Sequence, residues 1–135
     1  MPNRVEPRWL PLEVVVALNR QEVAETGEPH ILLSEGALEA ALMKPRNLWH
    51  YEGDDNMVVL ASSLLFGIAR NHPFAQGNKR TALGAAFLFL AVNGYHLIAP
   101  DTEKFGAIIV DVLTGEVSEQ DFVEILAEHG VNPIG

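Results

Sequence analysis

The sequence contains no cysteine. That excludes a disulfide framework and thiolate metal ligation, and it fits a reducing compartment. No window approaches the ~18 consecutive apolar residues of a membrane span, although apolar residues make up 48% of the chain. The start, Met1-Pro2-Asn3-Arg4, lacks a basic segment followed by an apolar run, so no signal peptide is read there. Positive charge is scarce: 9 Lys and Arg stand against 18 Asp and Glu, a net charge of −9. Nucleic-acid binding draws most of its affinity from cations that neutralise phosphates, so this balance argues against DNA or RNA and for a basic protein partner. The expectation is a soluble, cytoplasmic protein. Its 135 residues suit a single domain spanning 1–135 with one hydrophobic core.

Several catalytic patterns are missing too. A Walker loop needs Gly-Lys followed by Ser or Thr, and here Gly77 precedes Asn78. There is no His-Glu-x-x-His, and the 5 histidines are scattered without ligand spacing, which argues against zinc. Ser62-Ser63 lies in an apolar helical run without a Gly-x-Ser-x-Gly elbow and reads as a core or back-bonded pair.

What is present is helical periodicity. Pro11 suits a first helical turn. Leu12, Val15, Val16, Leu18 and Val23 share one face, Glu13, Asn19, Arg20, Glu22 and Glu25 fall largely on the other, and Thr26-Gly27 ends the run. Ser34 is a natural N-cap for a short helix, Glu35 to Lys44, that Pro45 stops. Arg46 to Gly53 shows no clear period and reads as an exposed flap or short hairpin. Asp54-Asp55 caps a third helix from about Asn56 to Arg70, and Asn78 stands at the N-cap of a fourth, Lys79 to Asn93, which is apolar all round and therefore buried. After an extended link, Tyr95 to Ala99, Pro100-Asp101 opens a fifth helix, and Ser118 with Asp121 caps a sixth. The fold class is all-α: a compact orthogonal bundle of about six helices around a buried central helix, with a short flap or hairpin.

Polar chemistry is concentrated in Asn71-His72-Pro73-Phe74-Ala75-Gln76-Gly77-Asn78-Lys79-Arg80. A glycine loop feeding a helix N-terminus gathers unpaired N–H groups at Gly77, Asn78, Lys79 and Arg80, with the positive end of the helix dipole behind them. That combination suits an anion such as phosphate. Lys79 and Arg80 add full charges. His72 is the side chain suited to take a proton from a hydroxyl near neutral pH, and Phe74 reads as a core anchor for the loop. On chemistry alone, an anion site and an ordinary helix-to-helix turn fit equally well.

His72 to Arg80 resembles the signature of the Fic/Doc superfamily, His-x-Phe-x-(Asp/Glu)-(Gly/Ala)-Asn-(Gly/Lys)-Arg. Lys79, the following Thr81-Ala82-Leu83, and Asn93-Gly94-Tyr95 at the end of the apolar helix are similar to the death-on-curing (Doc) toxin branch. Leu33 to Leu42 looks like that branch's second helix. The resemblance implies the toxin of a type II toxin–antitoxin pair, transferring a phosphate from ATP or another NTP to a Ser/Thr hydroxyl of a translation factor of the elongation factor Tu class. The Fic-type alternative is AMP transfer. By the same resemblance His72 is the general base, Gly77, Asn78, Lys79 and Arg80 bind the nucleotide phosphates, and the flap at 46–53 docks the target. A Phd-like antitoxin is the expected inhibitor, because neither Glu35-Gly36 nor Glu52-Gly53 completes the family's self-inhibiting motif. One position departs. Gln76 stands where the family has Asp or Glu to hold Mg2+, so the metal site is weaker, or borrows Asp54, Asp55 or Asp101, or the chain is a non-catalytic member that binds nucleotide or partner.

Overall fold

The computed structural model describes residues 4–97, 102–129 and 131–133. They form six helices: α1 (Leu12–Thr26), α2 (Glu35–Glu52), α3 (Met57–Asn71), α4 (Asn78–Val92), α5 (Thr102–Leu113) and α6 (Glu119–His129). Two short strands, β1 (Tyr95–Leu97) and β2 (Val131–Pro133), pair antiparallel with Tyr95 opposite Pro133 and Leu97 opposite Val131. The all-α reading holds; Tyr95–Leu97 of the expected link form one edge of this small ribbon, while its residues 98–99 and the Pro100-Asp101 helix start lie outside the described residues. Among the described residues, no helix is long and apolar enough to cross a membrane.

Helix ends follow local chemistry. Gly27 closes α1 at φ +75°, in the left-handed region where a missing Cβ removes the steric penalty. The Ser34 hydroxyl accepts from the Ala37 N–H at 3.0 Å, and Ser118 accepts from the Asp121 N–H at 3.0 Å. At α3 the cap is Asn56, which accepts from the N–H groups of Val58 and Val59. Asp54 only receives the Asn56 N–H, at 3.0 Å.

Two expectations are corrected in α2. Pro45 does not stop the helix but lies inside it, and residues 46–53 form its last turns and its Gly53 cap, so there is no flap or hairpin there. A proline within a helix removes one hydrogen bond and costs about 3 kcal/mol. Here the helix face continues through it. Leu38, Ala41, Pro45 and Trp49 are buried at spacings of three and four residues, and breaking the helix would expose Trp49. Close packing keeps the face in place. A Cβ added at Gly67 of α3 would lie 3.2 Å from Ala41, so the glycine lets the two helices approach.

The core lies between α3 and α4, which fold back on each other across the loop 72–77 and are the two most buried helices. Edge-to-face contacts of Phe66 with Phe122, Phe122 with Phe105, and Phe105 with Phe87 join α3, α6, α5 and α4. Ser63 back-bonds to the Leu60 carbonyl at 2.7 Å, while Ser62 is buried without a partner for its hydroxyl. The N-terminal arm is pinned to the far end of α4: Trp9 stacks on Phe89, and the Asn93 amide bonds the backbone of Arg8 in both directions.

Candidate active site

The loop 72–77 begins where α3 is forced to end. Pro73 disfavours the right-handed helical region for the residue before it. His72 takes the left-handed C-cap conformation instead, with φ 48° and ψ 55°, and it alone among the described non-glycine residues has positive φ. Such a conformation costs about 1–2 kcal/mol for a residue with a Cβ, so the surrounding structure must hold it. Phe74 does so as anticipated: its side chain is 1% exposed. The connector between α1 and α2 runs antiparallel to the loop, with Leu33 N–H bonded to the Pro73 carbonyl at 2.8 Å and Ala75 N–H to the Ile31 carbonyl at 3.0 Å.

Asn78 is not the N-cap. Gly77 takes that place at φ +75°, and Asn78 is the first residue of α4. The Asn78 side chain clasps the loop, its oxygen accepting from the Phe74 N–H at 3.0 Å and its nitrogen donating to the Phe74 carbonyl at 2.7 Å. What Asn78 offers an anion is its backbone N–H. No side chain caps the first turn of α4, so the N–H groups of Gly77, Asn78, Lys79 and Arg80 have no intrahelical acceptor.

His72, Gln76, Gly77, Asn78, Lys79 and Arg80, the residues singled out in the sequence, all line one concavity of about 300 Å3, together with Ala75. His72, Gln76 and Lys79 are exposed; Arg80 is partly covered. Lys79 and Arg80 also reach a neighbouring groove of about 650 Å3 between α1, α4 and α5. Leu83, Gly84 and Phe87 contribute its apolar lining, and Glu22, Glu25 and Glu103 its acidic part.

Sequence reasoning missed three residues that support this site. Asn19, expected on the polar face of α1, is fully buried in line with Val15 and Val23. Its Nδ2 donates to the Gln76 carbonyl at 2.8 Å and to the Thr81 hydroxyl at 3.1 Å, and its Oδ1 pairs with Nδ1 of His30 at 2.8 Å. The signal was available: positions 15, 19 and 23 fall on one helical stripe. Glu28 pairs with the Arg80 guanidinium. The Thr26 hydroxyl, and then Arg80, hold the Glu28 carboxyl below its ordinary range. No short-range pattern in the sequence links residues so far apart.

The residues present do not fit a protein-held Mg2+. Gln76 brings an amide where the motif carries a carboxylate, no acidic residue lines the concavity, and no group of three or more His, Asp or Glu suited to a metal occurs among the described residues. Asp54 and Asp55 precede the N-terminus of α3, whereas the loop follows its C-terminus. The 15 residues of α3 separate them by about 22 Å at ~1.5 Å per residue. They are excluded as borrowed ligands, and Asp101 lies outside the described residues.

A family model described as the Fic/DOC family matches residues 9–90. A curated relative named "Protein kinase doc", from Escherichia phage P1, is 29% identical over 119 residues, which cover 88% of this chain and 93% of that protein. Another, "Toxin Doc" from Mycolicibacterium smegmatis, is 36% identical over 81 residues, covering 58% of this chain and 62% of that protein. The site's motif lies inside the matched span, on the loop and helix just described. The chain belongs to the Fic/DOC family.

Proposed function

We propose that this chain is a Doc-like toxin that transfers the terminal phosphate of ATP, or of another NTP, to a Ser/Thr hydroxyl of a translation factor of the elongation factor Tu class. The observation that carries the reading is that His72 and the uncapped first turn of α4 line the same concavity. In this mechanism the N–H groups of Gly77 to Arg80 and the positive end of the α4 dipole hold the nucleotide phosphates, with Lys79 and Arg80 supplying charge. His72 takes the proton of the target hydroxyl as its oxygen bonds to the terminal phosphorus. The bond from that phosphorus to the bridging oxygen breaks, and the nucleoside diphosphate leaves. No step is routed through a protein-held metal.

Phosphate transfer is favoured over AMP transfer by Lys79, at the place where Fic-type enzymes carry glycine, and by the kinase name of the phage relative. The extended connector beside the loop, with exposed Ile31 and Leu33, supports docking of an extended target segment. The apolar groove with acidic margins between α1, α4 and α5 supports a Phd-like antitoxin that inserts an amphipathic helix with basic flanks. The test is the intact mass of elongation factor Tu after incubation with the chain, ATP and Mg2+. A gain of one phosphate supports the reading; a gain of AMP replaces it with the Fic-type reaction.

A second reading rests on Gln76 and the absence of a carboxylate from the concavity. It makes the chain a nucleotide- or partner-binding member without transfer activity. An unmodified target in that incubation, together with binding of ATP by the chain, supports it.

A further inference from the structure

Building on the anion-site reading above, we propose that Asn19 is a positioning residue: it fixes the peptide between Gln76 and Gly77 so that the Gly77 N–H faces the concavity. Peptide bonds are trans throughout the described residues, and in a planar trans peptide the C=O and N–H point in opposite directions. The Gln76 carbonyl is turned toward α1, where Asn19 Nδ2 meets it at 2.8 Å. The Gly77 N–H of the same peptide therefore points away from α1. Gly77 itself packs directly over this contact, since a Cβ added there would lie 3.4 Å from Asn19 Nδ2 and 3.1 Å from Val23.

The amide of Asn19 has one permitted orientation. A carbonyl can only accept, so the side-chain nitrogen must face Gln76, and its oxygen then faces His30. Nδ1 of His30 therefore carries a proton and donates it. The Thr81 hydroxyl accepts from the same Asn19 nitrogen at 3.1 Å. Turning the amide over would set acceptor against acceptor in a site from which water is excluded, because Asn19 is fully buried. Packing does not call for an asparagine here. On the stripe formed by Val15 and Val23 an apolar side chain would fill the space without the cost of burying an amide. The polar residue is explained by the loop it holds.

The test uses the full chain labelled with 13C and 15N, as wild type, Asn19→Asp and Thr81→Val. Asn19→Asp keeps the size and still accepts from His30, but as a carboxylate it offers Gln76 no proton. Without any ligand, the Gln76 carbonyl resonance is expected to move upfield in Asn19→Asp and to stay at the wild-type position in Thr81→Val. With pyrophosphate as probe, the shift of the Gly77 amide should be lost in Asn19→Asp and its affinity should fall about tenfold, the scale of one lost hydrogen bond. An unchanged Gln76 resonance in Asn19→Asp overturns the proposal, as does an equal loss in Thr81→Val, which would mark general loosening. If the wild type does not bind pyrophosphate, the anion-site reading falls, while the ligand-free Gln76 resonance still decides what Asn19 holds. Should Asn19→Asp not fold, Asn19→Ala provides the same comparison.

Discussion

Glu28, two residues after the end of α1, hydrogen-bonds the guanidinium of Arg80 in the first turn of α4, joining positions 52 residues apart. The carboxyl is held below its ordinary value of 4.5 by the Thr26 hydroxyl first and Arg80 second. A carboxyl lowered in the folded state stabilises fully above its unfolded value, and that stabilisation disappears as pH falls through the lower folded value. Thermal melts from neutral pH into the acid range should therefore show a smaller acid-limb loss for Glu28→Gln than for wild type. Parallel curves would contradict this role.

The Asn78 clasp makes a graded prediction. Asn78→Ala leaves both the N–H and the carbonyl of Phe74 without partners in a part-buried site. It should lower stability in urea unfolding by roughly 1–3 kcal/mol. Asn78→Asp keeps the acceptor for the Phe74 N–H and loses only the donor, so it should fall between Ala and wild type.

His72 separates stability from chemistry. His72→Ala removes the proposed base but retains a Cβ in the left-handed conformation, so it should leave stability close to wild type while lowering transfer by about 100- to 10,000-fold. His72→Gly should be more stable than His72→Ala by about 1 kcal/mol, because glycine carries no penalty at that φ. Denaturant midpoints beside initial rates check both.

Gly77 allows no such freedom. Gly77→Ala must adopt φ +75° and bring its Cβ within 3.1 Å of Val23. The conformation alone costs about 1–2 kcal/mol. The variant should lose at least that much stability in urea unfolding, together with phosphate binding, measured by pyrophosphate titration.

Features set by a few neighbouring residues were legible in the sequence. Ser34, Ser118 and Gly27 act as read because a cap is decided within about one turn, and Phe74 anchors the loop because its ring is the large apolar side chain among residues 72–77. The motif from His72 to Arg80 was legible for the same reason. Pro45 misled because local propensity was outweighed by burial of Leu38, Ala41 and Trp49 along a face that continues past it. Asn19 is polar, which by itself suggests an exposed position, but its spacing with Val15 and Val23 places it on the buried stripe. Asn78 looked like a cap, but the φ of Gly77 moves the cap one residue upstream. Glu28 and His30 reach the loop only through tertiary packing.

Gln76 is the position at which the motif and the site diverge, and Gln76→Asp places a carboxylate at the edge of the concavity. That variant should bind Mg2+–ATP more tightly than wild type, measured by calorimetry with and without the metal. Equal affinities would show that the residue at 76 does not govern metal use.

The most direct measurement of phosphate transfer incubates the chain with elongation factor Tu, Mg2+ and ATP labelled at either the γ or the α phosphate. Label should pass to the factor from the γ position only, and should be absent with His72→Ala. Transfer of α label would contradict terminal-phosphate transfer, and γ transfer that persists in His72→Ala would contradict the proposed histidine base.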